Sequence, residues 1–498
     1  MVILSSFHIT LAVVIVVRYF MVSIFESYSI SLYMLWIALF LVKGFFMEIS
    51  INGKTLQISN SKTYKLPDDI FVKIFEGFAV IISPSNGNWI VLESQIQIDV
   101  FKLLMNGNSI NQILDNYSDY IDDVHKVIEQ IEGRSFEHRF IPSENGFSLR
   151  IYLTNNCNLR CHRCFVFAST AFENELSTKE IKNLIFKCDS FGCRKIILTG
   201  GEVILRKDFK EIVKYSHELG MYVQVLSNGT LWNHNQIEEM SHYIDEIQIS
   251  IDGYDEQSNS KIRGYGVFEK ALNTVNDFIK SGNVFVNIVV TPMYEDLEKN
   301  YSNYFRFANQ LIKRYMNKKF LIYFQEELIN GREFKANKRT NNKMKRLVHK
   351  LHEELYENSA LTTFIMHHKN HQLHQNCGYG GLTIDSVGNV FSCGRIHELK
   401  SFGNIRFNNI ESILNLRKTI RQSTSVENLS PCGKCELRYI CGGGCRINNF
   451  PNAVNVAPKA IGKKPFVRTV KCEEKERIYR LMIDSIDFLL ECNENEIV

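Results

Sequence analysis

Between about residues 148 and 328 the chain repeats one pattern: a short apolar strand, a polar loop, then a segment with helical spacing. The six strand candidates are Leu149–Leu153, Lys195–Leu198, Tyr222–Leu226, Glu246–Ile251, Phe285–Val290 and Phe320–Phe324. Helices are expected between them, as at Thr178–Phe191, Lys207–Leu219 and Gly266–Ser281. Strands that alternate with helices imply a parallel sheet covered by helices, because parallel neighbours need a long crossover. The fold class is therefore α/β, an open, partial (β/α)6 TIM-like barrel. In such a layout chemistry belongs at the C-terminal ends of the strands.

The cysteines fall where that layout puts chemistry. Thirteen occur in 498 residues, three of them at 157–164 and four at 432–445. Secreted disulfide scaffolds are short, whereas tight cysteine spacing in a long chain points to metal or cluster ligation in a reducing, cytoplasmic setting. Cys157, Cys161 and Cys164 form a C-x3-C-x2-C run directly after the first strand. Three thiolates can hold three irons of a [4Fe–4S] cube and leave the fourth iron for a small chelating ligand. A zinc knuckle needs a fourth ligand, and only His162, inside the loop, stands near. The second strand ends in Thr199-Gly200-Gly201-Glu202, where exposed backbone groups and a carboxylate can grip an ammonium group. Ser227-Asn228-Gly229-Thr230 follows the third strand, Ser250-Ile251-Asp252-Gly253 ends the fourth, and Arg263 comes 13 residues after Ser250.

This order of motifs resembles the radical SAM superfamily, whose members use S-adenosyl-L-methionine (SAM). The resemblance implies that Cys157, Cys161 and Cys164 hold a [4Fe–4S] cluster whose free iron takes the amino and carboxylate groups of SAM. It implies that Gly200, Gly201 and Glu202 hold the SAM amino group. It further implies that Ser250 and Arg263 contact the SAM carboxylate or ribose, with Ser227, Asn228 and Asp252 in the same cofactor site.

A second set runs Cys377, Cys393 (with Gly388 as G-x4-C), Cys432-x2-Cys435-x5-Cys441-x3-Cys445 and Cys472. It resembles the SPASM domain appended to peptide-modifying radical SAM enzymes. By that resemblance Cys432, Cys435, Cys441 and Cys472 hold one auxiliary [4Fe–4S] cluster, and Cys377, Cys393 and Cys445 hold another. Each cluster would join distant segments and so contribute folding energy to a loop-rich region. Some SPASM members place a further cysteine shortly before the equivalent of Cys377; here stand His367, His368, His371 and His374. Either one iron is open, or a non-cysteine group such as His371 ligates it. Cys188, Cys193 and Cys492 lie outside every motif and read as packing residues.

The remaining chain divides around this core. Residues 1–46 form an apolar head, read either as a membrane hairpin or as sequence upstream of a true start at Met47; a patterned module beginning at Met47 favours the second. Residues 47–135 resemble a winged-helix-like, PqqD-like peptide-recognition module, carried by Trp89-Ile90-Val91-Leu92, Leu103-Leu104-Met105-Asn106-Gly107, Ile110, Ile113 and Leu114. Such modules bind a leader peptide as an added strand. Residues 132–147 read as a linker, 148–330 as the radical SAM core, 331–375 as a connector that is helical in part, 376–475 as the SPASM segment and 476–498 as a final helix.

Together the resemblances imply an enzyme that modifies a ribosomally made precursor peptide with SAM and three [4Fe–4S] clusters. The reaction of first choice is thioether formation, with flavodoxin or ferredoxin as electron donor. A carbon–carbon crosslink would use the same motifs. Anaerobic sulfatase maturases place an Asp base after the equivalent of Cys393, where this chain has Gly394 and Arg395. A non-catalytic peptide-binding scaffold would have little need of a complete cluster set and the Gly-Gly-Glu motif. A net charge of +4 and a pI near 8.3 give no case for nucleic acid, and membrane contact is confined to residues 1–46.

Overall fold

The computed structural model describes residues 46–51, 53–138, 147–356, 359–368, 373–451 and 466–491. Nearly all of the apolar head, His371 and Cys492 lie outside them. Among the described residues no helix is long and apolar enough to cross a membrane. The chain forms two compact units, one of residues 1–139 with 482–498, the other of residues 140–481.

In the first unit β1 (Phe46–Ile51) pairs antiparallel with β2 (Lys54–Ser59). A separate sheet runs β3 (Phe71–Phe75), β4 (Phe78–Ser83), β5 (Asn88–Leu92), all antiparallel, with β3 and β5 on the outside. β4 and β5 are buried along almost their whole length, which is why their apolar runs are legible as strands. β3 is not announced by the sequence pattern; Val72 and Ile74 are exposed, so it lacks the usual polar outer face. Among the described residues helices follow the sheet at Gln95–Met105, capped by Ser94; at Ile110–Asn116, opened by a Ser109/Gln112 capping box; and at Ile121–Gly133. The last contributes Gln130, whose amide donates to the Val91 carbonyl (2.7 Å) and accepts from the Val91 N–H (2.6 Å). The outer edge of β5 is thereby occupied, while β3 holds the other edge of the sheet. The expected linker is not loose at its start: Arg134 and Phe136 are buried, and the Arg134 guanidinium lies 4.1 Å from the Trp89 ring centroid.

The second unit is built on one nine-stranded sheet in the order β11-β10-β9-β8-β7-β6-β12-β13-β14. Six of its strands are the barrel strands expected from sequence: β6 (Phe147–Tyr152), β7 (Cys193–Thr199), β8 (Tyr222–Ser227), β9 (Glu246–Ser250), β10 (Phe285–Val290) and β11 (Phe320–Phe324). They pair in parallel, each with its sequence neighbour. Helices close the crossovers, the first being Thr178–Ser190, with a Ser177/Glu180 capping box and Ile181, Leu184, Ile185 and Cys188 buried against the sheet. Cys193 is buried too.

The loop-rich, cysteine-rich segment also carries short strands: β12 (Leu382–Ile384) adds to β6 in parallel, and β13 (Asn389–Phe391) and β14 (Gly403–Asn404) extend the sheet antiparallel. These strands are only two or three residues long, too short to show a period. The connector, expected to be helical in part, forms the helix Lys338–Leu355, whose Met344, Val348 and Leu351 are completely buried in the core of this unit. The final helix spans Lys475–Glu491, with Met482 onward belonging to the first unit.

Candidate functional site

The loop after β6 carries Cys157, Cys161 and Cys164, and the loop after β7 is laced to it. Leu153 N–H donates to the Thr199 carbonyl (2.7 Å), Gly201 N–H to that of Thr154 (2.7 Å) and Glu202 N–H to that of Asn156 (2.7 Å). This approach requires glycine. A Cβ on Gly201 would stand 2.2 Å from the Asn156 carbonyl oxygen, and one on Gly200 2.5 Å from that of Thr154. The three thiols share one electrostatic neighbourhood: Cys157 feels Cys161 and Cys164, and Cys161 feels Cys164. Burial, with Glu202 adding to it, pushes the Cys157 thiol up to about 11, and burial raises Cys161 as well. Among the described residues no three His, Cys, Asp or Glu side chains close around a single ion. Cluster thiolates, each on a different iron, do not need to.

Glu202, expected beside the SAM amino group, sits at the end of β7. It is fully buried, and its carboxylate accepts from Ser227 Oγ (2.7 Å) and from the Asn228 N–H (2.8 Å). Burial raises its pKa, against the lowering effect of those two donors. What it visibly does is join the end of β8 to the end of β7. Ser227 also accepts from the Trp232 indole (3.0 Å), and Asn228 donates to Asn158 inside the cysteine loop (3.0 Å). At the next strand end, Arg263 Nε stands 2.7 Å from Asp252 Oδ2, and Asp252 Oδ1 accepts from the Thr291 N–H (3.0 Å). Burial works against the Arg263 charge, but Asp252 and Cys161 outweigh it and hold its pKa above the ordinary value. Ser250 is the last residue of β9 and is half-buried. All eight expected cofactor residues thus lie at the C-terminal ends of β7, β8 and β9 or in the helix Glu256–Arg263 that follows.

Sequence reading misses the clamp on the other side of the loop. Arg163 donates to the carbonyls of Thr291 (2.9 Å) and Pro292 (2.8 Å), and a Cβ on Gly331 would meet the Arg163 carbonyl at 2.6 Å. Tyr152, at the end of β6, donates to the Gly394 carbonyl (2.6 Å), directly after Cys393. Both contacts come from residues far apart in sequence, so no local pattern announces them.

The second cysteine set gathers as two groups. Cys432, Cys435, Cys441 and Cys472 line one cavity together with the cations Arg438, Arg468 and Lys475. Four thiols with cations around them fit a cluster that carries net negative charge. Cys377 is the common electrostatic neighbour of Cys393 and Cys445. Arg395 ties their loops together, donating to Glu398 (2.6 Å) and to Asn448 (2.9 Å) and pairing with Glu327 (3.3 Å). Of the histidines considered as a further ligand, His367 is exposed, His368 is buried, and His374 Nδ1 pairs with Glu427.

Residues 151–301 match the model of the radical SAM superfamily. The sporulation killing factor maturation protein SkfB of Bacillus subtilis is 36% identical over 146 residues, 29% of this chain and 35% of that protein. The AdoMet-dependent heme synthase of Methanosarcina barkeri is 27% identical over 60% of this chain and 90% of its own length. The antilisterial bacteriocin subtilosin biosynthesis protein AlbA of Bacillus subtilis is 24% identical over 64% of this chain and 72% of its own. The chain therefore spans about a third of the first of these relatives and most of the other two.

Proposed function

We propose that this chain is a radical SAM enzyme that modifies a ribosomally made precursor peptide by forming thioether bonds, using a SAM-binding cluster and two auxiliary clusters. The observation that carries the reading is the convergence of Cys157, Cys161 and Cys164 with the Gly200-Gly201 backbone and the Asp252–Arg263 pair at the C-terminal ends of parallel strands.

Cys157, Cys161 and Cys164 would hold a [4Fe–4S] cluster, which with SAM would supply one-electron radical chemistry at the mouth of the sheet. The chain's own residues bind and orient. The glycine backbone receives the SAM amino group, Glu202 fixes that backbone through Ser227 and Asn228, and Arg263, oriented by Asp252, receives the carboxylate or ribose. Arg163 holds the Cys157–Cys164 loop in place, and Tyr152 ties the Cys393 segment to β6. The peptide's leader adds to the β3 edge, the side of its sheet that Gln130 does not close. Flavodoxin or ferredoxin supplies the electron, in a reducing, cytoplasmic compartment.

The likeness to SkfB and AlbA, named for a killing factor and a bacteriocin, supports a peptide substrate. The likeness to a heme synthase favours a second reading, a tetrapyrrole substrate. Anaerobic reconstitution with SAM, reductant and a cysteine-containing precursor separates them. The expected product has lost two hydrogens per crosslink, with 5′-deoxyadenosine formed alongside. Conversion of an iron porphyrin and none of the peptide would overturn the peptide reading.

A further inference from the structure

Arg446 is a fully buried cation with an unusual set of neighbours. It follows Cys445 directly and is 0% exposed. Its guanidinium donates to carbonyl oxygens: Nε to Thr424 (2.9 Å), Nη1 to Gly442 (2.8 Å) and Gly444 (2.6 Å), with Nη2 3.5 Å from that of His374. Among the described residues it forms no ion pair with a carboxylate. Carbonyl dipoles satisfy its protons but do not neutralise its charge, and an unneutralised charge in the interior is costly.

The loop around it is shaped to hold it. Gly442, Gly443 and Gly444 all have left-handed backbones, with φ of 65°, 88° and 78°. A Cβ on Gly443 would stand 2.8 Å from Leu429 and 3.3 Å from the Arg446 Nη1 itself. The Gly444 N–H donates to Asn376 (2.9 Å), the residue before Cys377. This one loop thus joins Cys441, Cys445 and Cys377, members of both auxiliary groups. Burial lowers the pKa of Arg446, and the groups that oppose this are Cys377, Cys432, Cys441 and Cys445, two from each group.

We propose that Arg446 is the shared counter-ion of the two auxiliary sites, a fixed positive charge that raises the reduction potential of both clusters and makes their assembly interdependent. The inference rests on the reading that both cysteine groups carry clusters. A cation near a cluster stabilises the more negative, reduced state, so its removal lowers the potential. The buried charge is neutralised only when thiolates are present on both sides, so each cluster stabilises the pocket for the other. Arg446 is a positioning residue and touches no substrate.

The test uses the full chain, reconstituted anaerobically, with potentiometric titration of each cluster by electron paramagnetic resonance. R446Q removes the charge and keeps some carbonyl contacts; R446K keeps the charge. In R446Q the ratio of reduced to oxidised cluster at a fixed potential is expected to fall at least ~10-fold at both auxiliary sites, about 59 mV for one electron. The SAM-responsive cluster stays where it is, and R446K stays within about threefold of wild type at both sites, roughly half that shift. Loss of both auxiliary clusters together in R446Q, with R446K holding both, supports the proposal equally. A shift or loss at one site alone, no shift at either, or equal damage from R446K and R446Q overturns it. A wild-type chain that binds the SAM-responsive cluster alone contradicts the three-cluster reading itself, and this shows before any variant is made.

Discussion

A methyl group at Gly201 would stand 2.2 Å from a backbone carbonyl oxygen, and no rotamer change can move that atom aside. G201A must therefore shift the cysteine loop, at an overpacking cost of about 1–3 kcal/mol. We expect SAM-dependent 5′-deoxyadenosine formation to fall at least ~10-fold, in line with about 1.4 kcal/mol per decade of rate; unchanged formation by chromatography would contradict the geometry. Glu202 gives a second expectation. E202A leaves the Asn228 N–H and the Ser227 hydroxyl without the carboxylate that accepts from them. The cost is about 1–3 kcal/mol per unsatisfied group, read as a lowered midpoint in thermal unfolding, with E202Q recovering part of it. The cysteine motifs and the glycine pair are legible in the sequence because their spacing is local. The inward turn of Glu202, the Arg163 clamp and the burial of Arg446 are not, since a charged side chain's environment depends on segments distant in sequence. For Arg446 one signal does exist, its place directly after a ligand cysteine and three glycines.

At the scale of elements, the helix Lys338–Leu355 carries a titratable anchor: His352 Nε2 accepts from the Phe324 N–H at the end of β11 (3.0 Å). Burial lowers the His352 pKa from 6.5 to about 4, and the acceptor role requires the neutral ring. Between those values the unfolded chain binds the proton more readily than the folded one, so stability falls as pH drops from 6.5 towards 4. The full effect is about 3 kcal/mol at 1.36 kcal/mol per pKa unit. We expect the unfolding midpoint to fall between about pH 7 and pH 5, and H352Q to flatten that dependence; identical pH profiles for both proteins would rule it out. The charged, histidine-containing sequence of this helix makes its helical character partly legible but hides that Met344, Val348 and Leu351 are buried in the core. In the first unit, Val72 and Ile74 give β3 an apolar outer face, and among the described residues no strand pairs beyond it. V72D/I74D is expected to weaken leader-peptide affinity at least ~10-fold, about 1.4 kcal/mol, while leaving iron content unchanged. Wild-type affinity in that variant, measured by calorimetry, would remove β3 from the recognition surface.

For the whole molecule, the long-range order of the chain is more legible in its sequence than the boundaries of its parts. Six strands and their parallel pairing follow from a repeated apolar pattern, and the site falls at their C-terminal ends as that architecture requires. The second cysteine segment reads as a separate appendage, yet it extends the same sheet through β12, because three-residue strands carry no readable period. The consequence is mechanical: Tyr152 and β12 both fix the Cys377–Cys393 segment to β6, the strand that leads into Cys157. The decisive comparison is the paramagnetic spectrum of the reduced, anaerobically reconstituted protein with and without SAM, alongside the C157A/C161A/C164A variant. Wild type should show a [4Fe–4S] signal that changes on adding SAM, and the variant should lose that signal while keeping auxiliary iron. A SAM-responsive signal that survives in the variant, or its absence from wild type, would contradict the assignment of the site.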